Sequence, residues 1–357
     1  MLENTKDSSI IAERKGSVAL ITLNRPQALN ALTHEMILDI SARLTAWESD
    51  PSVKAIFFLG AGDRAFCAGG DIKHAYRQGL AYKETARPEN NPTQYFFDEY
   101  NLNRQLYHYK KPLFAFMDGV TMGGGFGIAG PCDYRVATEK TVFAMPEVGI
   151  GFFPDIGGAY YLQQAPHHIG AYLCLTGSSI NGSEMLYAGV ATHFITSAKL
   201  DKTIEILIDA IQNDQSVENA LNNNDFACDD VLALKDHKEI IRDHFASNDV
   251  GQIVSELLSS GDDWARTVGE VMRSRSPLSL EITMKHLQIA KKQSFDDVIA
   301  RDFVLAQNFL REQDFYEGVR AAVIDKDRAP KWQHQSLAAV SDKEVDSYFK
   351  DAERSLY

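Results

Sequence analysis

Two acids in the stretch FAMPEVGIGFFPDIGG, Glu147 and Asp155, each follow a proline and sit among apolar residues and glycines. A carboxyl in such surroundings is pushed toward its protonated form. Its proton exchange then falls near neutral pH, as general acid or base work requires. Turn or helix capping is the other reading that local sequence leaves open for both. A third acid, Glu99, lies in the aromatic run YFFDEY, Tyr95 to Tyr100, a run that also suits helix packing. Upstream of Glu147, the glycines Gly123, Gly124 and Gly125 offer bare backbone N–H groups at the start of a short helix. Such groups carry partial positive charge and let a ligand approach closely. A second glycine loop, Phe66-Cys67-Ala68-Gly69-Gly70, precedes them. One N–H from each loop would grip a thioester oxygen as it becomes negative, and each such donor is typically worth about 3 kcal/mol in the transition state. Tight turns with close packing are the structural alternative for either loop.

Other chemistries fit less well. Gly60-Ala61-Gly62-Asp63-Arg64-Ala65 and Gly125-Phe126-Gly127-Ile128-Ala129-Gly130 both match a dinucleotide-binding glycine pattern, and Glu147 lies near the place of a ribose-binding acid. The first match, however, runs into paired glycines, and the second into Pro131 and the strand-like DYRVAT, leaving room for barely two helical turns where a crossover helix is needed. His167 and His168 are adjacent and cannot share one face, and none of the ten histidines falls in an H-E-x-x-H pattern, so no metal site is expected. No G-x-S-x-G elbow occurs. Cys67, Cys132, Cys174 and Cys228 lack C-x-x-C spacing and suit a reducing compartment. Arg25, Arg64 and Lys73 sit beside turns, where they would meet phosphates or simply solvent.

The elements that must carry these residues read as a mixed α/β core. SVALITLN (Ser17 to Asn24) and VKAIFFLG (Val53 to Gly60) are strand-like, and between them Ile37, Ile40, Leu44 and Trp47 recur at helical spacing. A strand, helix, strand unit with a right-handed crossover to a parallel neighbour follows. PLFAFMDG, DYRVAT and TVFAM read as further strands, Asn181 with Glu184 caps a helix, and LNNNDFACDD marks a loop in an otherwise helical remainder. The expected division is a core over 1–200 and a mainly helical region over 201–357. The formal charge of -13 argues against nucleic acid or an anionic membrane surface as partner. The N-terminal MLENTKDSSIIAERKG lacks an apolar run and is not Arg-rich, and no segment offers the roughly 18 continuous apolar residues of a membrane span, so a cytoplasmic protein is expected.

Taken together, ITLNRPQALNALT, RAFCAGGDIK, DGVTMGGGFGIAG and FAMPEVGIGFFPDIGG resemble the crotonase, or enoyl-CoA hydratase/isomerase, superfamily. The resemblance implies a spiral of ββα units, a coenzyme A thioester as substrate with no separate cofactor, and an oxyanion hole made by the N–H groups of Ala68 and Gly124. It also implies substrate contacts from Gly69, Asp71, Arg25 and Lys73. Hydratases of this superfamily carry two glutamates; the second corresponds to Glu147, while the first would fall on Gly127, which cannot transfer a proton. FFDEY, SPLSLEITMKHL and QDFYEGVRAAVIDKDRAPKW extend the likeness toward the branch that hydrolyses 3-hydroxyisobutyryl-CoA in valine breakdown. There Glu147 would activate water or attack the carbonyl, Asp155 would assist proton transfer, and Glu99 would contact the substrate hydroxyl. Hydration or isomerisation of enoyl-CoA, and catalytically silent CoA binding, are the competing functions. The superfamily often forms trimers or hexamers, so a homo-oligomer is a further expectation.

Overall fold

A computed structural model describes residues 8–222, 233–350 and 353–357. Among the described residues ten strands form two sheets. β1 (Ile10–Lys15), β2 (Val18–Leu23), β3 (Ala55–Gly60), β5 (Leu113–Met117), β7 (Tyr134–Ala137) and β10 (His193–Phe194) lie in that order in one; β4 (Ala65–Cys67), β6 (Val120–Met122), β8 (Val142–Ala144) and β9 (Ile180–Asn181) lie in that order in the other. The hairpin β1–β2 is antiparallel, and β2–β3, β3–β5, β5–β7 and β7–β10 are parallel. The chain therefore repeats one step. β3, β5 and β7 each enter the larger sheet, the strand that follows each enters the smaller one, and a helical segment comes next. These are the repeated ββα turns that the sequence resemblance implies, and the parallel β2–β3 pair flanks the expected helix, α1 (His34–Glu48).

Two compact units make up the chain. The first contains residues 1–70, 102–143 and 180–233; the second contains 71–101, 144–179 and 234–357. Each is discontinuous, so the division does not follow the expected boundary at residue 200, which coincides instead with the start of the helix Leu200–Gln212. The expected helical remainder is present as a run of helices to Asp342–Tyr348. The LNNNDFACDD loop, with Cys228, lies almost wholly outside the described residues; Cys67, Cys132 and Cys174 are buried and form no disulfide among the described residues. Among the described residues no helix is long and apolar enough to cross a membrane.

In the first unit the central strands β2, β3 and β5 of the larger sheet are buried on both faces, which is why they read as unbroken apolar runs. On one face Val18, Leu20, Phe57, Phe114, Phe116 and Val136 pack with Ile204, Leu207 and Ile211 of the helix Leu200–Gln212. Phe114 stacks on Tyr134 with centroids 4.2 Å apart. In the second unit the interior is aromatic: Phe152 lies within 5.5 Å, centroid to centroid, of Phe96, Phe153, Phe309 and Phe315. The Asn181–Glu184 capping box opens the helix Gly182–Tyr187 as expected.

Candidate active site

The two glycine loops meet within the first unit. The segment Arg25–Leu32 braces the first loop, with Asn30, fully buried, donating to the carbonyls of Ala61 and Ala65 at 2.9 and 2.8 Å. The Ala68 N–H donates to the Leu29 carbonyl at 3.0 Å, and Leu32 N–H donates to the Gly69 carbonyl at 2.9 Å. The Ala68 amide, expected as an oxyanion donor, is thus hydrogen-bonded within the brace. Among the described residues the N–H groups of Gly69 and Gly70 have no acceptor. Gly69 has φ +113°, and a Cβ built on it would lie 3.8 Å from the Gly124 nitrogen, so its open side faces the second loop.

That second loop enters α4 (Gly124–Ala129) through Gly123 at φ 46°. Gly123 O accepts from the N–H groups of Phe126 and Gly127, while the Gly124 N–H, as the first of the helix, has no acceptor among the described residues. The helix has only six residues and holds no crossover, which excludes the dinucleotide reading of these glycines. Gly127 is buried, and its carbonyl accepts from the Asn103 side chain at 3.0 Å.

The acids lie in the second unit and are brought together there. Glu99 and Tyr100 come from α3 (Thr93–Tyr107); Glu147 opens a turn of 3₁₀ helix, Glu147–Ile150; Asp155 starts the turn before the helix Gly158–Leu162. All three carboxyls are buried, with exposures of 3%, 7% and 6%. Tyr100 donates its hydroxyl to Asp155 Oδ2 at 2.6 Å. Glu99 Oε1 and Glu147 Oε2 are buried with no hydrogen-bond partner among the described residues. An unsatisfied buried polar atom is costly, which is the expected condition of groups kept for a ligand.

Burial is the first cause of every pKa shift in the cluster. It raises Glu99 and Glu147 well above the usual carboxylate range, with the neighbouring Asp155 charge adding to both. Asp155 is pushed up to about 7 by burial and by the charge of Asp302, against the opposing hydrogen bond from Tyr100. Because these acids interact, the first proton lost near pH 7 belongs to the cluster.

Raised folded-state values have a stability consequence. Between the ordinary aspartate value of 3.8 and about 7, the folded chain holds a proton that the unfolded chain has released. This contribution to stability is fully present below that window and is lost as pH rises through it. Asp155→Asn should therefore raise the melting temperature at pH 7.5 by a few degrees and flatten its fall between pH 4 and 7, while thiol-releasing activity drops. Thermal unfolding across pH checks this; an unchanged pH slope contradicts it.

The remaining expected residues divide by role. Arg25 donates Nη1 to the Ala31 carbonyl at 2.6 Å and its backbone N–H to Asn30 Oδ1 at 2.9 Å, so it belongs to the brace. Asp71 caps α2 (Ile72–Thr85) by accepting from the His74 N–H at 3.4 Å. Lys73 is exposed on the first turn of that helix. Three residues escape a reading of the sequence: Tyr100, Asp302 and His286. Asp302 falls on the buried stripe Phe295, Val298, Ile299, Phe303, Ala306, and His286 falls among Ile282, Thr283, Leu287 and Ala290. A charged or titratable residue on an apolar helical face was the available signal.

The repeated ββα steps define the crotonase class of enzyme fold. The chain belongs to the enoyl-CoA hydratase/isomerase family, whose sequence profile matches residues 18–349. A Gallus gallus relative, named mitochondrial 3-hydroxyisobutyryl-CoA hydrolase, is 40% identical over 349 residues, covering 96% of this chain and 89% of that protein. The crystal structure of a carnitinyl-CoA dehydratase from Mycobacterium thermoresistibile is similar with TM-score 0.90 at 34% identity, over 98% of this chain and 99% of that one. An enoyl-CoA hydratase from Rhodobacter sphaeroides 2.4.1 is similar with TM-score 0.86 at 32% identity, over 96% and 97%. The compartment in the Gallus gallus name does not fit the cytoplasmic expectation drawn from the N-terminal residues.

Proposed function

We propose that the protein hydrolyses coenzyme A thioesters, with 3-hydroxyisobutyryl-CoA as substrate and free CoA and 3-hydroxyisobutyrate as products. The observation that carries this reading is Gly127. A buried glycine, its carbonyl held by Asn103, occupies the position where the resemblance places the first hydratase acid, and Glu147 is retained. The naming of the Gallus gallus relative supports the same branch.

In this reading the Gly124 N–H and an N–H of the Gly69-Gly70 pair hold the thioester oxygen as charge develops on it. Glu147, once its proton has passed into the carboxyl cluster, activates water or attacks the carbonyl carbon. Asp155, titrating near neutrality, returns a proton to the departing thiolate. Glu99, protonated and with a free oxygen, hydrogen-bonds the acyl hydroxyl and so disfavours acyl groups lacking it. CoA enters as part of the substrate, and the chemistry calls for no further cofactor. A homo-oligomeric assembly, a place in valine breakdown and cytoplasmic residence belong to the proposal; light scattering and cell fractionation test the first and last.

The two solved structures named above favour a second reading, hydration or dehydration of an enoyl-CoA. Thiol release from 3-hydroxyisobutyryl-CoA, 3-hydroxypropionyl-CoA and unsubstituted acyl-CoAs, measured beside the absorbance of crotonyl-CoA, separates the two. The expected result is preferred cleavage of the hydroxyacyl thioesters with crotonyl-CoA unchanged. Loss of enoyl absorbance without thiol release would transfer the assignment to the second reading. Tight CoA binding with no turnover of any substrate would leave only a binding protein.

A further inference from the structure

Asp155 stands on an unusual turn. Gly158 N–H donates to the Asp155 carbonyl at 2.7 Å, and both central residues are left-handed, Ile156 at φ 55° and Gly157 at φ 76°. Glycine adopts that conformation freely, but a β-branched residue such as Ile156 is strained in it and stays there only when neighbours hold it. The hold comes from the helix Phe295–Arg311. Asp302 Oδ2 accepts the Gly157 N–H at 2.7 Å, and its other oxygen lies 2.7 Å from Nε2 of His286 on the helix Pro277–Ala290. Asp302 is fully buried and His286 is 1% exposed, with the Phe153 ring packed edge-to-face on the imidazole at 5.8 Å. The close His286–Asp302 approach departs from good hydrogen-bond alignment.

We propose that the buried His286–Asp302 pair is a positioning device for Asp155: Asp302 pins the strained turn through the Gly157 N–H, and His286 screens the Asp302 charge that Asp155 would otherwise feel. The role in catalysis rests on the hydrolase reading; the action on Asp155 does not. Asp155 is faced by Tyr100 from α3 and by Asp302 from the helix Phe295–Arg311, and its charge is felt by Glu99 on α3 and by Glu147. Arg301 neighbours Asp302, and Cys174 faces Glu147. Among these, Asp302 is a like charge that raises the proton affinity of Asp155 and of the Tyr100 hydroxyl.

Two substitutions then act in opposite directions. Asp302→Asn keeps an oxygen for the Gly157 N–H and removes the charge, so Asp155 should release its proton about one pH unit lower. His286→Gln keeps a polar group against Asp302 but removes the imidazole, so the Asp155 transition should move upward. The measurement is carboxyl ¹³C NMR titration of labelled aspartate in the full chain, with resonances assigned by Asp155→Asn, beside the pH profile of kcat for thiol release. Opposed shifts in both readouts, with KM nearly unchanged, support the pair's role. An unmoved Asp155 titration in either variant, or shifts of the same sign, overturns it. Should Asp302→Asn fail to fold, the upward shift in His286→Gln decides alone. Opposed NMR shifts in a protein that cleaves no thioester would remove the hydrolase reading and leave the action on Asp155 standing.

Discussion

Glu147→Gln should lower kcat for thiol release about 10³-fold or more, leave KM within a few-fold, and leave the melting temperature unchanged or slightly higher at neutral pH. The magnitude follows from the removal of a group that acts only in the reaction, since general acid–base participation alone contributes about 10²- to 10⁴-fold. Shape and stability are spared because Glu147 is buried and holds its proton well above the ordinary carboxylate range, so the folded resting state already accommodates a neutral group of this form. Its Oε2 has no hydrogen-bond partner among the described residues to be lost. Wild-type kcat in Glu147→Gln, measured with a thiol reagent under saturating substrate, would remove Glu147 from the mechanism. The same residue separates the two hydrolytic routes. Single turnover in ¹⁸O-water places label directly in the product acid if Glu147 is a base. If Glu147 attacks the carbonyl, an anhydride forms, and water attacking its Glu147 carbonyl puts the label into Glu147. Mass spectrometry of the peptide carrying Glu147 reads the difference.

The parts of the fold legible in the sequence are those whose burial is symmetric. β2, β3 and β5 are covered on both faces, so SVALITLN, VKAIFFLG and PLFAFMDG appear as unbroken apolar runs. β1 escapes because it is an edge strand with an increasingly exposed polar end, IIAERK. β4 and β6 have three residues each, and β9 and β10 two, too few to show a period. At the site, the acids Glu147 and Asp155 are legible because their apolar neighbours foretell desolvation, and Glu99 for the same reason. The hydrogen bond at the Ala68 amide is a different matter. Whether a backbone amide is satisfied depends on what the chain folds against it, here the Leu29 carbonyl, and no residue type records that. Asp302 and His286 are conspicuous on their own apolar helical faces, but only packing shows that they face each other and that Asp302 reaches the Gly157 N–H.

Gly125→Ala should damage both folding and turnover, more than the same change at Gly69. A Cβ built on Gly125 would overlap the Cys67 carbonyl and crowd the Cys67 Cβ, which are backbone and near-backbone atoms without a flexible end to swing aside. Cys67 ends β4, which pairs with β6, and immediately precedes the loop whose Gly69 and Gly70 amides are unsatisfied. Relief of the overlap therefore has to move one glycine loop away from the other, and displaced donors cost about 10²- to 10³-fold in kcat each. At Gly69 the backbone cost is different in kind. Its φ of +113° strains any side chain, but the nearest atoms to an added Cβ are the Met122 carbonyl at 3.4 Å and the Gly124 nitrogen at 3.8 Å, which is ordinary contact. The methyl group would stand beside the Gly124 N–H and obstruct the acyl oxygen, so Gly69→Ala should lose turnover with a smaller fall in melting temperature. Kinetics and thermal unfolding on both variants test this ordering. Near-normal turnover in a folded Gly125→Ala protein would show that these two loops do not need to touch for catalysis, and would end the role assigned to the Gly124 amide.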